Sequence, residues 1–313
     1  MSYAVVFPGQ GAQRPGMGQA FKEKYRAAAE VFEEADEALG FKLSDVIFNG
    51  TQEELMQTEI TQPAILTVSI AVYRAVQEEI GEILKPVCMA GHSLGEYTAM
   101  VASGVLSLAD CVRLVRLRGK LMQEAVPAGR GTMLAVIGMP LDEVMAVCKQ
   151  AENGQVCSAA NVNQPEQIVI SGHTEAVART EKIIKEQHRA RTVPLRVSGP
   201  FHCSLMRPVA EKLKAEFEKL EWKNPLCPVV SNAEATLLRT VEDIRRALYE
   251  QTFSPVLWVQ DVLRMKEAGA EKYIEMGPGS VLSGLIRKIL KGNTPVSVSS
   301  PEDIEKAAEI IKG

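Results

Sequence analysis

Ser93 sits between two glycines in Gly91-His92-Ser93-Leu94-Gly95, just where the apolar run from Val87 to Ala90 gives way to a helical pattern. That order describes a nucleophile elbow, a strand-to-helix turn so sharp that Cβ atoms at the flanking positions would collide. The turn pushes its serine clear of neighbouring side chains. A helix starting there also aims free N–H groups and the positive end of its dipole at the hydroxyl, which favours an oxyanion beside it. The alternative at this level is a serine that merely caps the helix.

The elbow belongs to a repeating order. The segment from Tyr3 to Phe7 reads as a buried strand, followed by the loop Pro8-Gly9-Gln10-Gly11-Ala12-Gln13, a helix over 17–38 and another over 62–80. The strand at 87–90 and the helix from Ser93 then continue the alternation of a parallel sheet covered by helices. In such sheets ligands bind at the strand carboxyl ends, where both the Gly9–Gln13 loop and Ser93 fall.

After Thr132 the pattern changes to strand 133–139, helix 141–152, strands 156–160 and 167–171, helix 174–188 and strand 191–197. This β-α-β-β-α-β order is the ferredoxin-like signature, entered through Pro127–Gly131 and left through Ser198-Gly199-Pro200. We therefore expect a large α/β domain over 1–128 and 198–313 and a small inserted α+β domain over 129–197. Helices at 205–219, 240–250 and 255–268, strands 227–230 and 272–276, and a helix from 280 complete the large domain. Ser300-Pro301-Glu302-Asp303 caps a last amphipathic helix.

A 313-residue chain with 46% hydrophobic residues buries a sizeable core. Its net charge of -4 offers no field for nucleic acid, and its apolar runs are too short to span a membrane. The six cysteines lack metal-ligand and C-x-x-C spacing, which fits reduced thiols in a cytoplasm. No signal peptide is expected at Met1. The Gly9-Gln10-Gly11 segment lacks the third glycine and acidic partner of a dinucleotide site, and no Walker loop is present.

A serine nucleophile needs a base. Of the four histidines, His202 in Gly199-Pro200-Phe201-His202 lies on the return to the large domain and can face the elbow, or it is an ordinary hydrogen-bonded loop residue. His92 is expected to point away from the hydroxyl in a structural role, and His173 and His188 to be surface residues. A helix from Ser93 to Ser103 rises roughly 15 Å, and a return helix reaches Arg118 after about 16 Å, level with the serine. A guanidinium there can hold a substrate carboxylate by two parallel hydrogen bonds, or it serves a structural ion pair. Arg113 and Arg116 are expected to be solvated or phosphate-facing.

Taken in order, Phe7–Gln13, Thr61-Gln62-Pro63, Gly91–Glu96, Arg118-Gly119, Gly199–His202 with Leu205-Met206, Gln251–Trp258 and Glu275–Gly279 resemble malonyl-CoA:acyl-carrier-protein transacylases. The resemblance runs from residue 3 to about residue 291. It implies a hydrolase-like α/β domain with a parallel sheet core plus a smaller inserted ferredoxin-like domain. It implies Ser93 as the acylated nucleophile and His202 as its base, with the backbone carbonyl of Gln251 orienting the imidazole in place of a triad carboxylate. It further implies an oxyanion hole from the N–H groups of Gln10 and Leu94, and Arg118 as the malonyl carboxylate's partner. Phe201 suits the unbranched malonyl group. Ala12 and Cys203 stand where serine is commoner, changes expected to alter packing more than mechanism.

The implied reaction is ping-pong transfer of malonyl from malonyl-CoA to holo-acyl-carrier protein for fatty acid biosynthesis, without metal or cofactor, by a cytoplasmic monomer. For the acidic carrier, the basic row Arg179, Lys182, Lys185 and Arg189 with Arg191 is a candidate docking face. Three other readings are a serine esterase, an inactive binding module and a polyketide acyltransferase. The esterase would need a late histidine, yet about a third of the chain follows His202.

Overall fold

The computed structural model describes residues 1–197 and 199–313. Ser198, at the expected exit from the small domain, lies outside the described residues. In chain order the strands are β1 (Tyr3–Phe7), β2 (Cys88–Gly91), β3 (Gly131–Ile137), β4 (Cys157–Gln164), β5 (Gln167–His173), β6 (Arg191–Pro194), β7 (Val229–Val230), β8 (Leu237–Leu238), β9 (Lys272–Met276) and β10 (Val296–Val298).

They form two sheets. The larger runs β10-β9-β1-β2-β7-β8, parallel except for the β7–β8 pair. Every residue of β1 is buried, as a central strand covered on both faces requires. The smaller sheet, β4-β5-β3-β6, is antiparallel and carries the helices Leu141–Ala151 and Thr174–Gln187. Its order is that of a ferredoxin-like unit. The chain enters and leaves this unit side by side, for a Cβ on Gly131 would meet the Pro200 ring at 2.4 Å.

Several elements depart from the sequence expectations. The expected helix over 17–38 is two helices, Gln19–Lys24 and Arg26–Leu39, separated by Tyr25 in an extended conformation. Tertiary partners hold the break: the Tyr25 hydroxyl donates to Glu79 at 2.9 Å and the Ala27 N–H to Glu78 at 2.7 Å. The helix expected from 62 starts at Thr58 and keeps Pro63 inside. Strand 227–230 shrinks to two residues because Pro228 has no N–H to give the ladder. The short helices Leu43–Asn49 and Gln52–Met56 and the strands β8 and β10 were not anticipated.

Two contacts position the site. Gly119 lets the helix Leu108–Glu124 approach the start of Thr58–Ile80, since a Cβ there would stand 2.4 Å from the Thr58 carbonyl oxygen. Strand β4 runs past the expected end at Ala160. Its last part is bonded to the large unit, the Val256 N–H donating to Ala160 and the Val162 N–H to Val256, both at 2.8 Å. Those bonds carry the polar residues Asn161 and Asn163 into the cleft between the sheets, an extension their polarity hid from the strand pattern.

Candidate active site

The elbow is built as its glycines require. Ser93 has φ 52° and ψ -99°, a conformation strained for a residue with a Cβ. A Cβ on Gly91 would lie 2.0 Å from the Gly95 backbone, and one on Gly95 would lie 2.1 Å from the Phe7 carbonyl oxygen. Ser93 precedes the helix Leu94–Ala102, yet its side chain makes no capping hydrogen bond. The hydroxyl is turned to another partner.

That partner is His202, itself held at φ 58°. Its Nε2 lies 2.7 Å from Ser93 Oγ, and its Nδ1 lies 2.9 Å from the Gln251 carbonyl oxygen. A carbonyl only accepts, so Nδ1 carries the hydrogen and the Nε2 lone pair faces the serine hydroxyl. Burial, and secondarily the Arg118 charge, push the His202 pKa down to about 3, which keeps the ring neutral and able to accept a proton.

Arg118 closes the site from the other side. Only 1% exposed, it donates from Nη2 to Ser93 Oγ at 3.2 Å and to Gln251 Oε1 at 2.9 Å, and from Nη1 to Gln62 Oε1 at 2.8 Å. It lies over the Tyr97 ring, and its Nε has no partner among the described residues. Amides and a hydroxyl surround it, and among the described residues it forms no ion pair. Buried Glu96 acts on it electrostatically across the Gln251 amide without touching it, so a guanidinium with no carboxylate in contact can receive one from outside.

The N–H groups of Gln10 and Leu94 donate to no other group among the described residues, whereas the Ser93 N–H is taken by Asn232 Oδ1 at 2.7 Å. Ser93, His202, Arg118, Gln10 and Leu94 line one cleft of about 110 Å³, with Phe201 and Met133 on its walls. Gln10, His92, Asn161 and Leu195 are shared with an adjoining groove of about 290 Å³ that runs between the two sheets. The residues expected to meet are therefore together, and an approach to them is open.

Beneath the cleft lies a polar layer that sequence reasoning did not assign. The Gln251 side chain, and not only its carbonyl, takes part: its Nε2 donates to the Ser93 carbonyl at 2.8 Å and to Glu96 at 2.9 Å. Glu96 also accepts the Asn232 N–H at 3.1 Å, and Asn232 Nδ2 donates to Asp261 at 2.9 Å. Burial raises the Glu96 pKa to about 7 and holds the Asp261 carboxyl well above its ordinary range. Glu96 and Gln62 stood inside recognised motifs, which was the only signal available. Asn232 and Asp261 carried none.

The other singled-out residues fall elsewhere. His92 bonds Asn163 at 2.8 Å and packs near Trp258, His173 accepts the Val156 N–H, and His188 lies 3.7 Å from Glu143. Arg113 pairs with Asp110 and Arg116 stacks on Phe41. Of the expected basic face, Lys182, Lys185, Arg189 and Arg191 are exposed, and Arg179 is turned to backbone. Arg179 donates to the Ala151 and Glu152 carbonyls at the end of its neighbouring helix, while Lys182 and Lys185 pair with Glu186 and Glu181.

The acyl transferase domain family model matches residues 4–307. The chain belongs to this family. It is 44% identical over 308 residues to the malonyl CoA-acyl carrier protein transacylase of Escherichia coli K12, covering 98% of this chain and 99% of that protein. The protein of the same name from Bacillus subtilis is 45% identical over 310 residues, 99% of this chain and 97% of that one. The solved malonyl CoA-acyl carrier protein transacylase of Coxiella burnetii superposes with a TM-score of 0.96 at 39% identity, covering 100% and 98% of the two chains. The acyltransferase described here thus has the expected α/β fold, a hydrolase-like parallel core with a ferredoxin-like insert. No helix among its described residues is long and apolar enough to cross a membrane.

Proposed function

We propose that this acyltransferase moves a malonyl group from malonyl-CoA to the phosphopantetheine thiol of acyl-carrier protein through a malonyl ester on Ser93, supplying fatty acid biosynthesis. The observation that carries the reading is Arg118, a buried cation with no carboxylate in contact among the described residues, 3.2 Å from the Ser93 hydroxyl. An acyl group ending in a carboxylate supplies the missing partner, and one without it leaves the guanidinium unpaired.

In the first half-reaction Ser93 Oγ attacks the thioester carbonyl as His202 Nε2 takes its proton. The oxyanion is held by the Gln10 and Leu94 N–H groups. When the C–S bond breaks, the imidazolium returns that proton to the departing CoA sulfur. In the second half His202 accepts the proton of the carrier thiol, the sulfur attacks the ester, and Ser93 leaves with the proton. The Gln251 carbonyl holds the imidazole where an esterase would use a carboxylate, which favours transfer over the esterase reading.

We further assign residues 1–128 and 198–313 to the catalytic domain and 129–197 to the insert, supported by the separate sheets and by the Gly131–Pro200 contact. All six cysteines are free thiols, in keeping with a cytoplasmic enzyme. Mass spectrometry after mixing with malonyl-CoA tests the chemistry: a malonyl adduct is expected on Ser93, and an adduct that persists in Ser93→Ala removes it as nucleophile.

A further inference from the structure

Glu96 is fully buried three residues after Ser93, and among the described residues it pairs with no cation. It touches neither the Ser93 hydroxyl nor His202. Both groups bonded to it do reach the site. Through Gln251 Nε2, at 2.9 Å, it holds an amide whose Oε1 accepts Arg118 Nη2, also at 2.9 Å. Through the Asn232 N–H, at 3.1 Å, it holds the residue whose Oδ1 accepts the Ser93 N–H.

An amide side chain has two ends of nearly the same shape, so its orientation must be dictated by its neighbours. Here the NH₂ end faces two acceptors, the Glu96 carboxyl and the Ser93 carbonyl, and the oxygen faces the guanidinium. Turning the amide over would set NH₂ against the Arg118 cation and oxygen against the carboxyl, losing all three bonds. The position of Arg118 Nη2, the arm nearest Ser93, therefore depends on what stands at position 96.

We propose that Glu96 is a positioning residue for acyl-group selection, fixing the Gln251 amide so that Arg118 presents its guanidinium to a carboxylate on the acyl group. The proposal rests on the malonyl-transfer reading. Glu96 itself meets no reacting atom. Its effect through Arg118 bears only on substrates that use Arg118, whereas the bonds its partners make to the Ser93 backbone act on every acyl group alike. His202 is oriented by the Gln251 backbone rather than by its amide, so the malonyl-to-acetyl ratio isolates the Arg118 part.

The test compares malonyl and acetyl transfer from their CoA thioesters to holo-acyl-carrier protein in the full-length enzyme. Glu96→Leu removes the acceptor, and Glu96→Asp keeps a carboxyl but withdraws it by one methylene, so that one variant remains informative should the other fail to fold. Each is expected to lower kcat/KM for malonyl-CoA by about tenfold or more, largely through KM, with acetyl transfer changed less than about threefold. Glu96→Gln, which retains an acceptor oxygen, is expected to restore most of the malonyl-to-acetyl ratio. Equal losses for both donors, an unchanged ratio in Glu96→Leu and Glu96→Asp, or no rescue by Glu96→Gln would overturn the proposal. A wild-type enzyme without malonyl preference overturns the functional reading itself, a result obtained before any variant is made.

Discussion

The Ser93 hydroxyl lies 2.7 Å from His202 Nε2, across 109 positions of sequence and between two residues both held at positive φ. Strain on both sides of one hydrogen bond indicates that the surrounding fold, and not local preference, sets the contact. His202→Ala is expected to slow acylation of Ser93 by about 10²- to 10⁴-fold while leaving malonyl-CoA binding nearly intact. Stopped-flow acylation measured beside equilibrium binding checks this, and equal losses in both would remove His202 as the base.

Arg118→Ala removes the cation proposed to meet the acyl carboxylate. Malonyl transfer is expected to fall about 10²-fold or more, the scale of a broken buried ion pair, and acetyl transfer much less. A kinetic comparison of the two donors decides, and parallel losses would show that Arg118 is not the carboxylate's partner.

The depressed pKa of His202 has a direction that can be worked out. Below its pKa the ring is protonated and cannot take the serine proton, so lowering that pKa from 6.5 to about 3 moves the loss of activity to lower pH. Single-turnover acylation is expected to show no histidine limb between pH 5 and pH 8. An inflection near 7 that disappears in Glu96→Gln would belong to Glu96, whose own pKa is near there. One that survives the substitution would contradict the low His202 value.

Glu96 also ties stability to pH. Its pKa is raised from 4.5 to about 7, so between those values the unfolded chain has released a proton that the folded chain keeps. Stability from this group is fully present below pH 4.5 and is lost as pH rises through 7, a loss of about 3 kcal/mol. Glu96→Gln abolishes that loss. Urea unfolding at pH 4.5 and pH 8 should show the variant gaining on the wild type at the higher pH, and identical pH dependence would refute the assignment. His202 acts in the opposite sense, destabilising as pH falls from 6.5 toward 3, but equally in both proteins.

Gly95→Ala places a methyl 2.1 Å from the Phe7 carbonyl oxygen, against backbone that cannot yield cheaply. A loss of about 3 kcal/mol or more is expected, seen as a lowered urea midpoint or an insoluble product. Wild-type stability would show that strand β1 can retreat from the elbow.

Much of this was legible along the chain because its cause is local. The glycines around Ser93 announce a turn no other residue permits, and the β-α-β-β-α-β periodicity of the insert shows in the alternation of apolar residues. Polar extensions were not legible. Asn161 and Asn163 read as loop, yet Val256 supplies the hydrogen bonds that keep β4 going. Tyr25 reads as helix interior, yet Glu78 and Glu79 stabilise a break there.

Sequence by itself determined the fold class and singled out Ser93, His202 and Arg118 and, through the family resemblance, the Gln251 carbonyl as the candidate site, because tight turns and ordered motifs impose constraints that can be read along the chain. Only the tertiary structure decided that the Gln251 amide, Gln62, Glu96, Asn232 and Asp261 support them. Those groups are hydrogen-bonded across the fold rather than along the chain. A buried polar atom's partner is set by which elements pack together, and no spacing in the chain encodes that.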